Sequence, residues 1–258
     1  MAGIFDFHTH PFMDEYSNLC PHKEKIPMKW QDIRPMYDKL GVTRIAGSVI
    51  LRKPGLTPWE SIVQGNNMAL ELHDLLGDFY YPGCHIHPAH IPESLEEIRR
   101  FAEKGFRLVG ELVPYLHGWQ DYSCKEFGYL LDACREYGMV VNMHSMDDDA
   151  MDRMVENHKD VTIVMAHPNE KESFLRHLKR MDVSEHYHLD LAGTGLFRHG
   201  MLARGIAEQG AERFLFGSDF PVCNPGMFVG GVTLDELINP EDKEKILFGN
   251  AQRLLGLE

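Results

Sequence analysis

The sequence has no apolar run long enough to span a membrane, and its opening, Met1-Ala2-Gly3-Ile4-Phe5-Asp6, lacks the basic stretch and apolar core of a secretory leader. A cytoplasmic protein without membrane contact is therefore expected. Cysteine is sparse and patternless. Cys20, Cys84, Cys124, Cys134 and Cys223 are odd in number and include no Cys-x-x-Cys, which argues against a disulfide framework and against a thiolate zinc site. Positive charge is in short supply as well. The 258 residues carry 26 Lys and Arg against 39 Asp and Glu, a formal charge of −13, so nucleic acid is an unfavourable partner because its binding relies on neutralising phosphates. No Gly-x-Gly-x-x-Gly or phosphate loop follows any apolar run, which weakens a doubly wound nucleotide-binding sheet. Linkers and internal repeats longer than one strand-helix period are absent. The longest charge run, Asp147-Asp148-Asp149, is expected to open a helix and to be solvated.

What is present is histidine, 15 residues of it, on a chain whose short apolar runs alternate with amphipathic stretches. Strands are expected at residues 4–8, 44–50, 79–86, 107–112, 139–143, 161–166, 186–191 and 213–216. Most are apolar throughout, as in a parallel sheet covered on both faces. Helical patterns fill the intervals. One opens with Pro92-Glu93 and stops at Gly105; others are expected over 121–137, 170–180, 196–209 and 242–255. Eight strand-helix units in this length predict a single (β/α)8 TIM barrel as one domain, 1–258, with a doubly wound sheet as the alternative.

In such a barrel the chemistry sits where strands end. The first strand ends Asp6-Phe7-His8-Thr9-His10, and the period of two places His8 and His10 on one inward face with Phe7 and Thr9 turned to the helices. Asp6 then shares the face of His8 and is a candidate to orient it. Glu111 ends the fourth strand, His144 the fifth, and His167 the sixth, while Asp219 follows the eighth in Gly217-Ser218-Asp219-Phe220-Pro221. A shared buried site for these groups needs a cation, since unpaired buried carboxylates are costly.

These motifs resemble the amidohydrolase superfamily, and more narrowly its decarboxylase-like amidohydrolase-2 group, over nearly the whole chain. The carriers are His8-Thr9-His10, the run Phe216-Gly217-Ser218-Asp219-Phe220-Pro221 and Gly249-Asn250-Ala251-Gln252-Arg253-Leu254; Asn67 and Phe79-Tyr80-Tyr81-Pro82-Gly83 are weaker echoes. The resemblance implies that His8, His10, His144, His167 and Asp219 form the site, with Asp219 and His167 as the catalytic pair. Val109-Gly110-Glu111 departs from that group and is more similar to TatD-like hydrolases, in which a strand-four glutamate bridges two metals. One or two divalent ions are thus expected, Zn2+ foremost and Mn2+ next, with Glu111 as the bridge.

Such a centre activates water, and the reaction expected is hydrolysis of an amide, lactone or ester in a small anionic molecule. Asp219 is the natural proton carrier. A one-metal decarboxylase or hydratase is the alternative, followed by a TatD-like nuclease and a metal-binding protein without turnover. Arg198, Tyr115 and His87 are candidates to bind substrate, with Arg52 a weaker one that a surface ion pair explains as well. His73, His158 and His177 lie on helical patterns and are expected to be solvated. Assembly into a homo-oligomer is left open.

Overall fold

The computed structural model describes residues 3–257. Met1 and Ala2, part of the stretch read for a leader, and Glu258, the end of the expected domain, lie outside them. Eight strands follow in order: β1 (Ile4–Thr9), β2 (Val42–Ser48), β3 (Tyr80–Gly83), β4 (Leu108–Leu112), β5 (Val140–His144), β6 (Ile163–Ala166), β7 (Tyr187–Asp190) and β8 (Phe214–Leu215). All neighbours are parallel, in the orders β1-β2-β3 and β4-β5-β6-β7-β8. Isolated bridges join the two sheets at both seams, Cys84 to Val109 and Thr9 to Phe220. The backbone bonds there are Gly110 N to Cys84 O at 2.8 Å and Phe7 N to Phe216 O at 2.9 Å. The order is cyclic, and the architecture is the (β/α)8 barrel.

The helices are α1 (Ile33–Asp38), α2 (Pro58–Leu76), α3 (Ile91–Glu103), α4 (Lys125–Glu136), α5 (Asp148–Asn157), α6 (Lys171–Val183), α7 (Met201–Gln209), α8 (Pro225–Thr233), α9 (Pro240–Glu244) and α10 (Asn250–Leu255). Their starts follow local chemistry. Thr57 and Glu60 form a capping box around Pro58 for α2, and Asp147 accepts from Ala150 N to cap α5. Three expected helices begin late or break. Asp121 folds its carboxylate onto Ser123, so α4 starts at Lys125. Gly200, at φ 77°, breaks the stretch 196–209 before α7. The stretch 242–255 splits into α9, a π turn at Lys245–Gly249, and α10. Among the described residues no helix is long and apolar enough to cross a membrane.

The barrel interior is one buried cluster of Phe5, Phe7, Ala46, Tyr81, Leu108, Val140, Val164 and Leu215, joined by Ala251 and Leu255 of α10. Asn250 ties α10 to the barrel through Ala211 O and Phe214 O, each at 2.8 Å. The interior packing corrects the simple alternation expected for β1. Asp6 pairs with Ile45 and Thr9 with Gly47, so three steps of β1 oppose two of β2. This bulge keeps Phe7 inside and still turns His8 inward, while Asp6 turns away to Tyr37 of α1. β4 repeats the device: Val109 pairs with Val141 and Leu112 with Met143. Leu108 and Glu111, three residues apart, therefore both face the interior. Gly110 makes this bulge feasible, since at its φ of 90° a Cβ would lie 2.1 Å from Asn142 O.

Three histidines away from the strand ends are buried in neutral form. Burial pulls His117 down from 6.5 to about 4, and His177 and His188 to about 3. The unfolded chain takes up these protons near 6.5, so it binds more protons than the fold below that pH. The stability these three contribute is full above pH 6.5 and falls as the pH drops toward 4 and then 3, each histidine contributing a slope of up to about 1.4 kcal/mol per pH unit. The ring NMR signals of His117, His177 and His188 in the folded protein should therefore keep their neutral positions from pH 7 to pH 5, and titration of any of them near 6.5 would contradict the neutral burial.

Candidate metal centre

Both bulges deliver side chains to the same point. Glu111, 2% exposed, presents its two oxygens to different histidine pairs. Oε2 lies 3.1 Å from His10 Nε2 and 3.3 Å from His8 Nε2. Oε1 lies 2.9 Å from His144 Nδ1 and 3.3 Å from His167 Nε2. Asp219 Oδ1 stands 3.8 Å from His8 Nε2 and 3.7 Å from His10 Nε2. The six side chains expected to ligate metal thus share one volume at the mouth of the barrel.

The hydrogen bonds on the far sides of the rings decide what those nitrogens can do. His8 Nδ1 is 2.9 Å from Asp190 Oδ2, His10 Nδ1 is 3.2 Å from Ser48 O, and His167 Nδ1 is 3.1 Å from Ala192 O. Those oxygens only accept, so each Nδ1 carries the proton and a neutral ring has a lone pair at Nε2. Three lone pairs then face one carboxylate, an arrangement that repels unless a proton or a cation lies among them. His8 Nε2 is moreover fully buried without a hydrogen-bond partner. Ligand atoms about 2.0–2.2 Å from a common ion lie roughly 2.8–3.6 Å from one another, the range found around both oxygens of Glu111. His8, His10 and Glu111 form one candidate ligand group, and Glu111, His144 and His167 a second. The residues fit divalent metal, and Glu111 is common to both groups.

The electrostatics show the same demand for positive charge. Burial alone would raise the proton affinity of Glu111, but His8 and the contacts of His10, His144 and His167 hold it well below the usual carboxylate range. Burial opposes charge on His8 as well, yet Asp190 and Glu111 push it well above 6.5. Asp219 behaves otherwise: burial outweighs the nearby imidazoles and raises it above the ordinary carboxylate value of 3.8. His167 and Asp219 both occupy left-handed backbone, at φ 70° and 59°, conformations that non-glycine residues hold only when their surroundings impose them.

Several expectations change. Asp190, not Asp6, orients His8, and it also accepts from Asn142 Nδ2 at 3.0 Å and Ala192 N at 3.0 Å. Its signal was present in the sequence, an acid at the end of the seventh strand. Asp6 is bound instead by Ser218 and Tyr37, and burial brings it up to about 7. His87 is engaged elsewhere, with Nε2 donating to His117 O at 3.0 Å and Nδ1 accepting from Ala89 N at 3.0 Å. The third-strand histidine beside the centre is His85, held by Asn66 at both its N–H and its carbonyl and sensitive to the charges of His10 and Glu111. Arg198 meets Glu170 in an exposed ion pair. Arg52 has no carboxylate within ion-pair distance among the described residues, and its charge reaches Tyr115. Tyr115 does stand at the mouth, its ring 5.5 Å from that of His144. Of the helical histidines, His177 is fully buried against Tyr187 of β7, His73 is partly buried and bonds to Tyr80 O of β3, and His158 is partly buried beside Asp132 of α4. Asp190→Asn should lower metal affinity about 10–100-fold, since the charged acceptor on His8 is lost. Chelator competition on a variant with native circular dichroism measures this, and an unchanged affinity would contradict the role of Asp190.

Comparison with known proteins places this geometry. The model of a family described as amidohydrolase matches residues 5–257. None of the curated proteins matches the chain. Solved structures share the barrel at low identity. 2,6-Dihydroxybenzoate decarboxylase from Rhizobium is 16% identical with a TM-score of 0.72, covering 100% of this chain and 99% of its own. A dihydroxybenzoic acid decarboxylase from Polaromonas, with bound manganese and the inhibitor 2-nitroresorcinol, is 15% identical with a TM-score of 0.68, covering 100% and 98%. A probable 2-pyrone-4,6-dicarboxylic acid hydrolase from Acinetobacter baumannii, with citric acid bound, is 12% identical with a TM-score of 0.69, covering 99% and 100%. At these identities the structures establish the shared fold alone, whereas the family match runs through both bulged strands to the last helix: the chain belongs to the amidohydrolase family of metal-dependent enzymes.

Proposed function

We propose that the protein is a hydrolase that holds two divalent ions across Glu111 and cleaves an amide, lactone or ester bond in a small anionic molecule. The observation that carries this reading is the division of the Glu111 oxygens between two histidine pairs. His8, His10 and Glu111 would hold one ion, and Glu111, His144 and His167 the other. The imidazole and carboxylate donors suit Zn2+ first and Mn2+ second. When bound, such ions polarise a carbonyl oxygen and lower the pKa of water toward 7.

The chain's own groups supply the rest. Asp219 takes the proton as water attacks the carbonyl carbon, then returns it to the departing nitrogen or oxygen. His167 has its Nδ1–H fixed on Ala192 O, so its part is to hold charge at Nε2 rather than to carry a proton. Tyr115, at the mouth, and Arg52, whose charge bears on the Tyr115 hydroxyl, bind the anionic end of the substrate.

A one-ion decarboxylase is the second reading, favoured by the Rhizobium and Polaromonas decarboxylases that share the barrel. Products separate the two: a panel of small carboxylate esters, lactones, amides and aromatic acids should give bond cleavage without carbon dioxide. Carbon dioxide release with no hydrolysis would replace the first reading with the second.

Two substitutions test the roles. Glu111→Gln should reduce the metal content of reconstituted protein from two ions per chain to one or fewer; a parent value of one that the substitution leaves unchanged would end the bridging role. Asp219→Asn should retain most of the metal while losing about 10²–10⁴-fold in turnover, because an amide oxygen can ligate but cannot accept the proton. Exposed Glu236→Gln serves as the control, and an Asn variant as active as that control would assign the proton to another residue.

A further inference from the structure

A second hydrogen-bonded system lies behind the centre, and no step above uses it. Ser145, which follows His144, donates from Oγ to Ala166 O at 2.5 Å, the carbonyl that precedes His167. The same oxygen is 3.4 Å from His167 O and 3.4 Å from His177 Nε2. His177 is fully buried on α6. Its Nδ1 accepts from the Tyr187 hydroxyl at 2.7 Å and faces Arg180 at 3.3 Å. With Nδ1 accepting, the ring proton is on Nε2 and points to Ser145 Oγ, whose own proton is committed to Ala166 O. The protons of Tyr187, His177 and Ser145 each have an acceptor.

The outer end is anchored as firmly. Arg180 is 2% exposed and reaches Asp148 Oδ1 and Asp152 Oδ1, each at 2.6 Å. Asp148 belongs to the acidic triplet expected to be solvated; it is drawn inward because Arg180 sits beneath it. The line therefore runs from acidic side chains on α5, through Arg180 and His177 on α6, to one hydroxyl that touches the segments next to His144 and His167.

We infer that Ser145 and His177 are positioning residues that set the spacing of His144 and His167, and so govern one half of the metal centre selectively. The inference rests on the two-ion reading only for its metal readout. His144 and His167 come from adjacent strands and meet at Nδ1 and Nε2, 3.2 Å apart. The backbone of His167 sits at φ 70°, which its neighbours must enforce, and the bond to the carbonyl just before it is one such restraint. His8 and His10 are held by other partners, Asp190, Ser48 O and Phe220 O, and do not touch this line.

Amide hydrogen exchange of metal-free protein tests the inference without reference to ion count. Ser145→Ala should speed exchange at residues 144–147 and 166–169 about tenfold while residues 8–10 keep their protection. Mn2+ titration should then show the weaker step reduced about 10–100-fold with the tighter step unchanged. Ser145→Thr, which keeps the hydroxyl, should restore both, and His177→Phe should behave like Ser145→Ala. Parental exchange in Ser145→Ala overturns the inference. So does a uniform rise in exchange with both Mn2+ steps weakened and a lowered Tm, the mark of a merely structural residue. A parent protein with a single Mn2+ step overturns the two-ion reading, and the exchange pattern alone then upholds or overturns the inference.

Discussion

A buried carboxylate surrounded by imidazole nitrogens is the constraint on which the mouth of this barrel depends. Glu111 is nearly inaccessible to water, and three of the rings around it have their protons fixed on the far side. Without positive charge among them, lone pairs would oppose a negative group in a medium of low dielectric, a costly arrangement. Protons can meet that demand in metal-free protein, as the upward shift of His8 shows, and divalent ions meet it with stronger directional bonds.

The backbone is shaped to make this possible. A regular parallel strand cannot place Leu108 and Glu111 on the same face, nor Phe7 and His8. The bulges in β1 and β4 add one residue each, so the lower barrel keeps its apolar filling while the upper barrel receives ligands. Gly110 is the local condition for the β4 bulge, since any side chain there would collide with the Asn142 carbonyl. Asp190, Asn142 and the Ser145–His177 line then fix the rings from behind. Preorganisation of this kind keeps ligands close to a productive geometry before any ion binds.

The barrel and the six converging side chains were legible in the sequence because each signal was local: an apolar run, then a polar residue at its end. What was not legible depended on register. Period two placed Asp6 beside His8, but the extra residue in β1 sends Asp6 to Tyr37 and leaves the orienting role to Asp190. His87 and Arg198 were chosen by position after a strand, and only their partners, the His117 carbonyl and Glu170, show that they are already engaged. His177 read as a solvated helical residue because its helical pattern does not reveal the Tyr187 hydroxyl and Arg180 packed against it. Long-range hydrogen bonds, not propensity, decided each of these cases.

The central claim is that Glu111 bridges two cations, and anomalous diffraction from Mn2+-soaked crystals addresses it most directly. The account expects two manganese peaks, roughly 3.5–4 Å apart, one beside Glu111 Oε2 and the His8/His10 pair and one beside Oε1 and the His144/His167 pair. A single peak at full Mn2+ occupancy, with one Glu111 oxygen left without metal, would contradict it.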